Sequence, residues 1–263
     1  LGLGRCMPPM PQRIMGNKLS MIYDGVNDLG LVSGHGRIRP ITNARGIAFN
    51  FWYNRDKMST SGTIIHISDA EEDYWIKLSL DSSDRLVLVY ETPVGDFSTQ
   101  DTTTIVHSTW YNVHVQIGYI EGNNWRGEIY INATNQNNGP IDVTPTDWAT
   151  GTVFGRIVFG AEIDWTGAWG EDFSNFHDCK IADTCFFNTY LSANAIRQIY
   201  NAQNQFDFLT STNYYVESEN VTALYLPIEP GSSKVIDTEN PTYEAHYLNL
   251  INGAKLSSDT PST

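Results

Sequence analysis

The sequence predicts an all-β fold, a two-sheet antiparallel sandwich with one short helix, and three observations lead there. Short runs of alternating or uniformly apolar character recur along the chain: GIAFNFWY, GTIIHIS, DYWIKLSL, DRLVLVYE, TTTIVH, WYNVHVQIGY and RGEIYIN. Asp, Ser, Gly and Asn separate them at short spacing, as between strands. One stretch, Ser192 to Gln203, instead sets Ile196, Ile199 and Tyr200 on one face at the three- and four-residue spacing of a docked helix.

Each element follows in order. Residues 1–18 are punctuated by Pro8, Pro9, Pro11 and Gly16 and read as an irregular lead-in or extended arm. Leu19 to Leu31 reads as strand, turn, strand, with Asp24-Gly25 and Asn27-Asp28 supplying the turn chemistry. Gly46 to Tyr53 places Ile47, Phe49, Phe51 and Tyr53 on one face. The runs named above come next, then a strand at Gly155 to Gly160. Asn175 to Gln203 closes the body. In its first half Ile181, Asp183 and Cys185 alternate with Ala182, Thr184 and Phe186. In its second half Ser192 caps a helix of about one and a half turns.

The chain has 263 residues, enough to bury a sizeable core, and a net charge of −14 from 16 Lys and Arg against 30 Asp and Glu. A field of that sign repels nucleic acid and anionic membrane surfaces and favours cations such as calcium. Thr, Ser and Asn are plentiful, and aromatic residues make up 12%; that mixture suits exposed strands and glycan-facing surfaces, hence a secreted, extracellular setting. No run reaches the length of a transmembrane helix, so no membrane insertion is expected. The chain opens on Leu1, and LGLGRCMPPMP is not a signal peptide, which reads as a piece of something longer. Cys179 and Cys185 are separated by roughly 20 Å of extended strand, beyond disulfide reach. Cys6 pairs with one of them, or all three are buried thiols.

The closing segment KIADTCFFNTYLSANAIRQIYNA resembles the last strand and short helix of laminin-G-like domains in the concanavalin-A-like lectin and glucanase superfamily, which includes pentraxin-like jelly rolls. Three more landmarks share the likeness: the FDGVND-like opening within Leu19–Leu31, the strand Gly46–Tyr53, and the Trp110-Tyr111-Asn112-Val113 start with the Tyr130-Ile131-Asn132 end. The resemblance covers Leu19 to Gln203 and implies a two-sheet jelly roll. In the tail, Leu224 and Leu226 alternate, Pro230-Gly231 turns the chain, and Ala245 to Ile251 is apolar up to Asn252-Gly253. These pieces resemble the opening strands of the same domain, which ordinarily precede the FDGVND segment. The implied organisation is a lead-in (1–18), a sandwich (19–203) and a C-terminal arm (204–263) in cyclically permuted order. Leu224, Leu226, Leu248, Leu250 and Ile251 of that arm either fold back or enter the next subunit, as in donor-strand complementation. A donated arm repeats head to tail and builds a homopolymer.

Candidate sites are few. Glu162-Ile163-Asp164 is similar to the paired carboxylates of laminarinase-type glucanases, but Thr166 and Gly167 stand where that motif needs a third acid. Both acids are expected to be solvated loop residues, and the chain is read as a non-enzyme. The six histidines show no metal-ligand spacing, and nucleophile elbows, phosphate loops and CxxC pairs are missing. The resemblance implies calcium held by Asp183 in the closing strand and Asp237 in the Val-x-Asp turn; Asp24 and Asp28 are further oxygen donors or turn caps. Asn132-Ala133-Thr134 and Asn220-Val221-Thr222 are N-glycosylation sequons, the first at a hairpin tip. Trp75, Trp125, Trp148, Trp165 and Trp169 offer rings for sugar stacking, the last two in the loop TGAWGEDF. Two functions compete, the first being the leading expectation and the second the alternative. One is an extracellular structural or adhesive subunit that assembles end to end. The other is a carbohydrate-binding, lectin-like module, calcium-dependent in its implied form.

Overall fold

The computed structural model describes residues 20–33, 46–56, 61–69, 73–93, 95–121, 124–136, 156–165, 171–187, 190–202, 221–229, 232–237, 246–251 and 255–257, those after 220 by their backbone pairing. In chain order the strands are β1 (Ser20–Asp24), β2 (Leu29–Ser33), β3 (Ile47–Arg55), β4 (Gly62–Ser68), β5 (Trp75–Leu80), β6 (Leu86–Thr92), β7 (Gly95–Gln100), β8 (Trp110–Glu121) and β9 (Asn124–Ile131). There follow β10 (Thr134–Asn135), β11 (Arg156–Phe159), β12 (Glu162–Trp165), β13 (Glu171–Ser174), β14 (Asp178–Phe187), the helix α1 (Ala193–Ala202), β15 (Val221–Glu229), β16 (Ser232–Asp237), β17 (His246–Ile251) and β18 (Lys255–Ser257).

Every pairing is antiparallel. One layer runs β10-β9-β8-β3-β14, and the other runs β17-β2-β11-β4-β5-β6-β7, with β15 and β16 carrying the hydrogen-bond path from one to the other. The inward faces meet in a single core. Phe49, Phe51, Tyr53, Val113, Val115, Ile117, Ile129, Ile181 and Phe186 come from the first layer, and Ile65, Ile67, Ile76, Leu78, Leu88, Tyr90 and Phe159 from the second. The two-residue period of GIAFNFWY and WIKLSL is therefore what builds the sandwich. The arrangement is a two-sheet antiparallel jelly roll, the fold class that the sequence predicts.

The outward face of the first layer is not solvated. Helix α1 lies over it, with Leu191, Ala195, Ile196 and Ile199 against Ala48, Tyr130, Cys185 and Phe187. Ser192 caps the helix: its Oγ accepts from the Ala195 N–H at 3.2 Å. At ten residues the helix is nearly twice the expected length, because Ala193–Ala202 continues on packing alone after the capped turn. Beside it, the Leu191 N–H donates to Gln116 Oε1 at 2.9 Å. Gln116 Nε2 and the Tyr130 hydroxyl both donate to Glu128, at 2.9 and 2.8 Å. Asn50 and Asn112 exchange amide hydrogen bonds at 3.0 and 3.1 Å. These buried polar groups satisfy one another.

Further elements differ from expectation, among them β12 and β13, which are strands where the sequence reads loop. Residues 102–109 form no strand, since two turns break TTTIVH, though Ile105 still reaches the core. Gly95–Gln100 is an edge strand that its polar alternation hides. The closing strand does not alternate throughout: its register with β3 jumps between Ala182 and Cys185, a β-bulge that sets Asp183 and Thr184 against Phe51 alone. Cys179 and Cys185 are buried free thiols.

The Phe186 ring lies 5.7 Å from that of Phe49, tilted 38° to it, with no exposed surface. Phe186→Ala is expected to cost about 3–5 kcal/mol, read as a lower urea midpoint at unchanged slope; a loss under 1 kcal/mol would place Phe186 outside the core.

Candidate functional site

The helix covers one outward face; among the described residues, the broad face left uncovered is the outside of β5, β6 and β7. Alternation in β5 buries Ile76, Leu78 and Leu80 and leaves Trp75, Lys77 and Ser79 half-exposed. In β6 it leaves Val87, Val89 and Glu91 half-exposed, and β7 adds Asp96, Ser98 and Gln100. Register aligns these residues in three rows across the strands: Trp75–Glu91–Asp96, Lys77–Val89–Ser98 and Ser79–Val87–Gln100. Gln100 is held to Asp81, whose other oxygen accepts from the Ser83 and Arg85 N–H groups.

The β12–β13 hairpin bounds this face. Gly160 makes the turn into it with φ +78°, and a Cβ there would lie 2.8 Å from the buried Tyr23 ring. Ile163 and Phe173 then pack on Leu29, Val158 and Ala161, covering the outside of β2 and β11. The Ile163 N–H donates to His66 Nδ1 at 3.0 Å, so the neutral imidazole carries its proton on Nε2. Burial lowers His66 to a pKa of about 4, and its ring stands edge-to-face with Trp75 at 5.5 Å. Lys77 Nζ lies 5.0 Å from the centre of the Trp75 ring and 2.5 Å from Glu162 Oε1.

The expectation of solvated loop acids at Glu162 and Asp164 is half corrected. Asp164 is exposed, opposite Asp172. Glu162 is mostly covered, and Asn175 Nδ2 and Thr63 Oγ1 donate to its second oxygen at 2.6 and 3.4 Å. Burial pushes the Glu162 carboxyl up, but hydrogen bonds from Lys77 and Asn175 outweigh it and hold the group below its ordinary range. A glycosidase acid needs the opposite shift. Glu162 is an ion-pair partner that ties the hairpin to β5.

Asp183 is the most unusual acid among the described residues. It adopts φ +50°, the left-handed region that Asp tolerates better than most residues. It is 7% exposed, and neither carboxylate oxygen has a hydrogen-bond partner. The adjacent Thr184 hydroxyl is likewise buried without one. Burial raises Asp183 from 3.8 to about 7. Its place explains this: on the far edge of β14, β1 ends at the Met21–Ile181 pair and β15 begins at Tyr225–Thr184, so the bulge falls in the gap between two strands.

Asp237 stands opposite Ala223, itself opposite Phe186, which is two strands across and three positions along from Asp183. That separation is about 14 Å between α-carbons. No group of three or more His, Cys, Asp or Glu able to hold a metal occurs among the described residues. The bulge alone offers two carboxylate oxygens and a hydroxyl, short of the six to eight oxygens calcium takes; water and backbone carbonyls would have to supply the others. Asp24 caps its turn through the Val26 and Asn27 N–H groups, and Asp28 accepts from the Asp24 N–H.

Asn132 lies at a hairpin tip as expected, with φ +51° there and +60° at Ala133, the tight turn Asn favours. Its Oδ1 accepts from the Asn112 N–H at 2.9 Å. Trp165 ends β12 opposite Glu171; Trp169 and Asn220 lie outside the described residues. In the arm, Leu224 pairs with Cys185, Leu226 with Lys234, Leu248 with Val32, Leu250 with Gly30 and Ile251 with Leu29, all within one chain. Sequence reasoning picked the hairpin tryptophans and passed over Lys77, Glu91 and Asp96. The outward positions of DYWIKLSL and DRLVLVYE were visible as alternation, but their alignment with Asp96 needs the register.

The architecture is that of the concanavalin-A-like jelly-roll sandwiches. Three solved structures illustrate the likeness. A candidate carbohydrate-binding protein from Bacteroides ovatus matches with a TM-score of 0.53 and 15% identity, over 92% of this chain and 60% of its own. A heptameric SAP-like pentraxin from Limulus polyphemus matches with a TM-score of 0.51 and 13% identity, over 71% of this chain and 82% of its own. Domains LG4-5 of the mouse laminin alpha1 chain match with a TM-score of 0.47 and 12% identity, over 68% of this chain and 44% of theirs. No protein-family model matches the sequence, and no curated protein does.

The raised Asp183 has a signed consequence. Its folded-state value of about 7 lies above the ordinary 3.8, so the folded chain binds more protons and loses stability as pH rises between the two. His66, His114 and His177, each lowered by burial to about 4, act oppositely and destabilise as pH falls below 6.5. Subtracting the profile of Asp183→Asn isolates the first effect: the variant is expected to gain on wild type by up to about 4 kcal/mol between pH 4 and 7.5. Parallel melting curves across that range would show that the carboxylate is compensated.

Proposed function

We propose that the chain is a secreted carbohydrate-binding module of lectin type that takes its glycan on the outside of β5, β6 and β7. The observation that carries this reading is the division of outward faces. One is sealed by α1 and its self-satisfied polar network. The other presents a half-exposed indole and two valines amid Lys77, Glu91, Asp96 and Ser98. A sugar ring needs both, an aromatic surface for its C–H face and fixed polar groups for its hydroxyls. The likeness to the Bacteroides carbohydrate-binding candidate supports the reading at the level of fold. Sequons at Asn132 and Asn220 and the net charge of −14 fit an extracellular setting, and no described helix is long and apolar enough to cross a membrane. Calcium, if it is the cofactor, binds at the Asp183 bulge, where both carboxylate oxygens and the adjacent Thr184 hydroxyl are buried without hydrogen-bond partners.

A glycan array probed with and without EDTA tests both parts. Binding of at least one glycan class is expected, lost in Trp75→Ala at unchanged melting temperature. EDTA lowers the melting temperature of wild type, but not of Asp183→Asn, if the ion is there. A folded protein that binds no glycan defeats the reading.

A second reading rests on the arm. Strands β15, β17 and β18 join the body by edge pairing with β14, β2 and β1, and a second copy could receive the same strands in the same register. Exchange of that kind would make a head-to-tail homopolymer. Deleting residues 205–263 leaves β14, β2 and β1 with open edges, so the shortened chain is expected to aggregate or unfold. Filaments in negative stain of the intact protein, abolished by the deletion, would favour this reading over a monomeric lectin.

A further inference from the structure

We infer that the ligand of the β5–β7 face is an uncharged glycan, its ring seated on Trp75 and its hydroxyls bonded to the Glu91 and Asp96 carboxyls. The inference rests on the carbohydrate-binding reading and names its substrate class.

Three observations select it. The first is the state of the one cation in the three rows. Lys77 is 2.5 Å from Glu162, and Asn175 completes that carboxylate. An anionic sugar would have to break this ion pair, leaving Glu162 mostly buried and uncompensated. The second is the row Trp75–Glu91–Asp96, in which an aromatic ring is followed by two carboxyls directly opposite one another. Like charges opposite each other on neighbouring strands repel. Here Glu91 hydrogen-bonds Asp96, and burial, with the Asp96 charge next, raises Glu91. Two neighbouring carboxyls offer acceptor oxygens to the hydroxyls of a diol, and nothing that attracts an anion. The third is that Trp75 is fixed in place. His66, 3% exposed with its Nε2–H unpaired, stands edge-to-face against the ring, so the indole keeps its orientation without a ligand.

Size agrees. From β5 to β7 the row spans about 10 Å, room for a short oligosaccharide lying across the strands, with Val87 and Val89 as apolar floor beside it. The net charge of −14 adds a field that disfavours sialylated, sulfated or uronate chains at a distance.

The test is calorimetric titration of the full chain at pH 7 and physiological salt with two sets of probes. Neutral probes are hexasaccharides of glucose, mannose, galactose and arabinose; acidic probes are sialyllactose, a hexagalacturonate and a heparin hexasaccharide. At least one neutral probe is expected to bind, and every acidic one at least tenfold more weakly. Trp75→Ala should weaken the neutral ligand tenfold or more, Trp75→Phe less. The pair Glu91→Gln with Asp96→Asn should weaken it threefold or more, with melting temperatures confirming that each variant folds. Equal or tighter binding of an acidic probe overturns the substrate class and leaves the carbohydrate reading intact. Neutral binding that survives all the variants overturns the site. A folded wild type that binds neither set overturns both.

Discussion

Strand β14 must be satisfied on two edges and two faces at once, and most of the structure can be traced to how that is done. One edge pairs with β3 along nearly its whole length, while the other is shared by β1 and then β15, two strands far apart in sequence that meet end to end. Its inward face supplies Ile181 and Phe186 to the core, and its outward face supplies Cys185 and Phe187 to the floor under α1. Its register with β3 shifts by one residue part-way along. The mismatch is absorbed at Asp183 and Thr184, where a bulge in the left-handed region falls between the two half-edges. That is also where a carboxylate and a hydroxyl are buried with no partner. The oddest acid and the busiest strand are one feature.

The same strand also takes part in covering one outward face. Its outward side and those of β3, β8 and β9 are committed to the helix, latched through Gln116 to the Leu191 N–H. The opposite layer is covered differently. There, among the described residues, the β12–β13 hairpin covers β2 and β11 and stops at the Lys77–Glu162 pair, short of β6 and β7. Glu162 anchors that boundary through Lys77, and its lowered carboxyl pKa follows from the same contacts.

The arm shows how little a sandwich depends on chain order. β15, β17 and β18 enter after the closing helix, yet each finds an edge that nothing earlier in the chain fills. Backbone pairing carries no record of sequence distance, so a strand arriving late, or from another copy, meets the same hydrogen-bonding groups.

Local rules were enough for much of this. Period-two alternation in GIAFNFWY, DYWIKLSL and DRLVLVYE determined the strands and their buried sides, Ser192 determined the helix start, and Asn132 the hairpin tip, since each depends on neighbours within a few residues. Tertiary structure alone decided the rest. Gly95–Gln100 became a strand because β6 offered an edge, against its polar composition. Asp183 became buried because two distant strands meet beside it, and Glu162 became an ion partner because Lys77 lies across a hairpin 85 residues away in sequence. Above all, the row of Trp75, Glu91 and Asp96 exists only through register. Alternation tells each side chain which face to take, but which residues stand side by side is settled by strand pairing, and a slip of one residue would undo it.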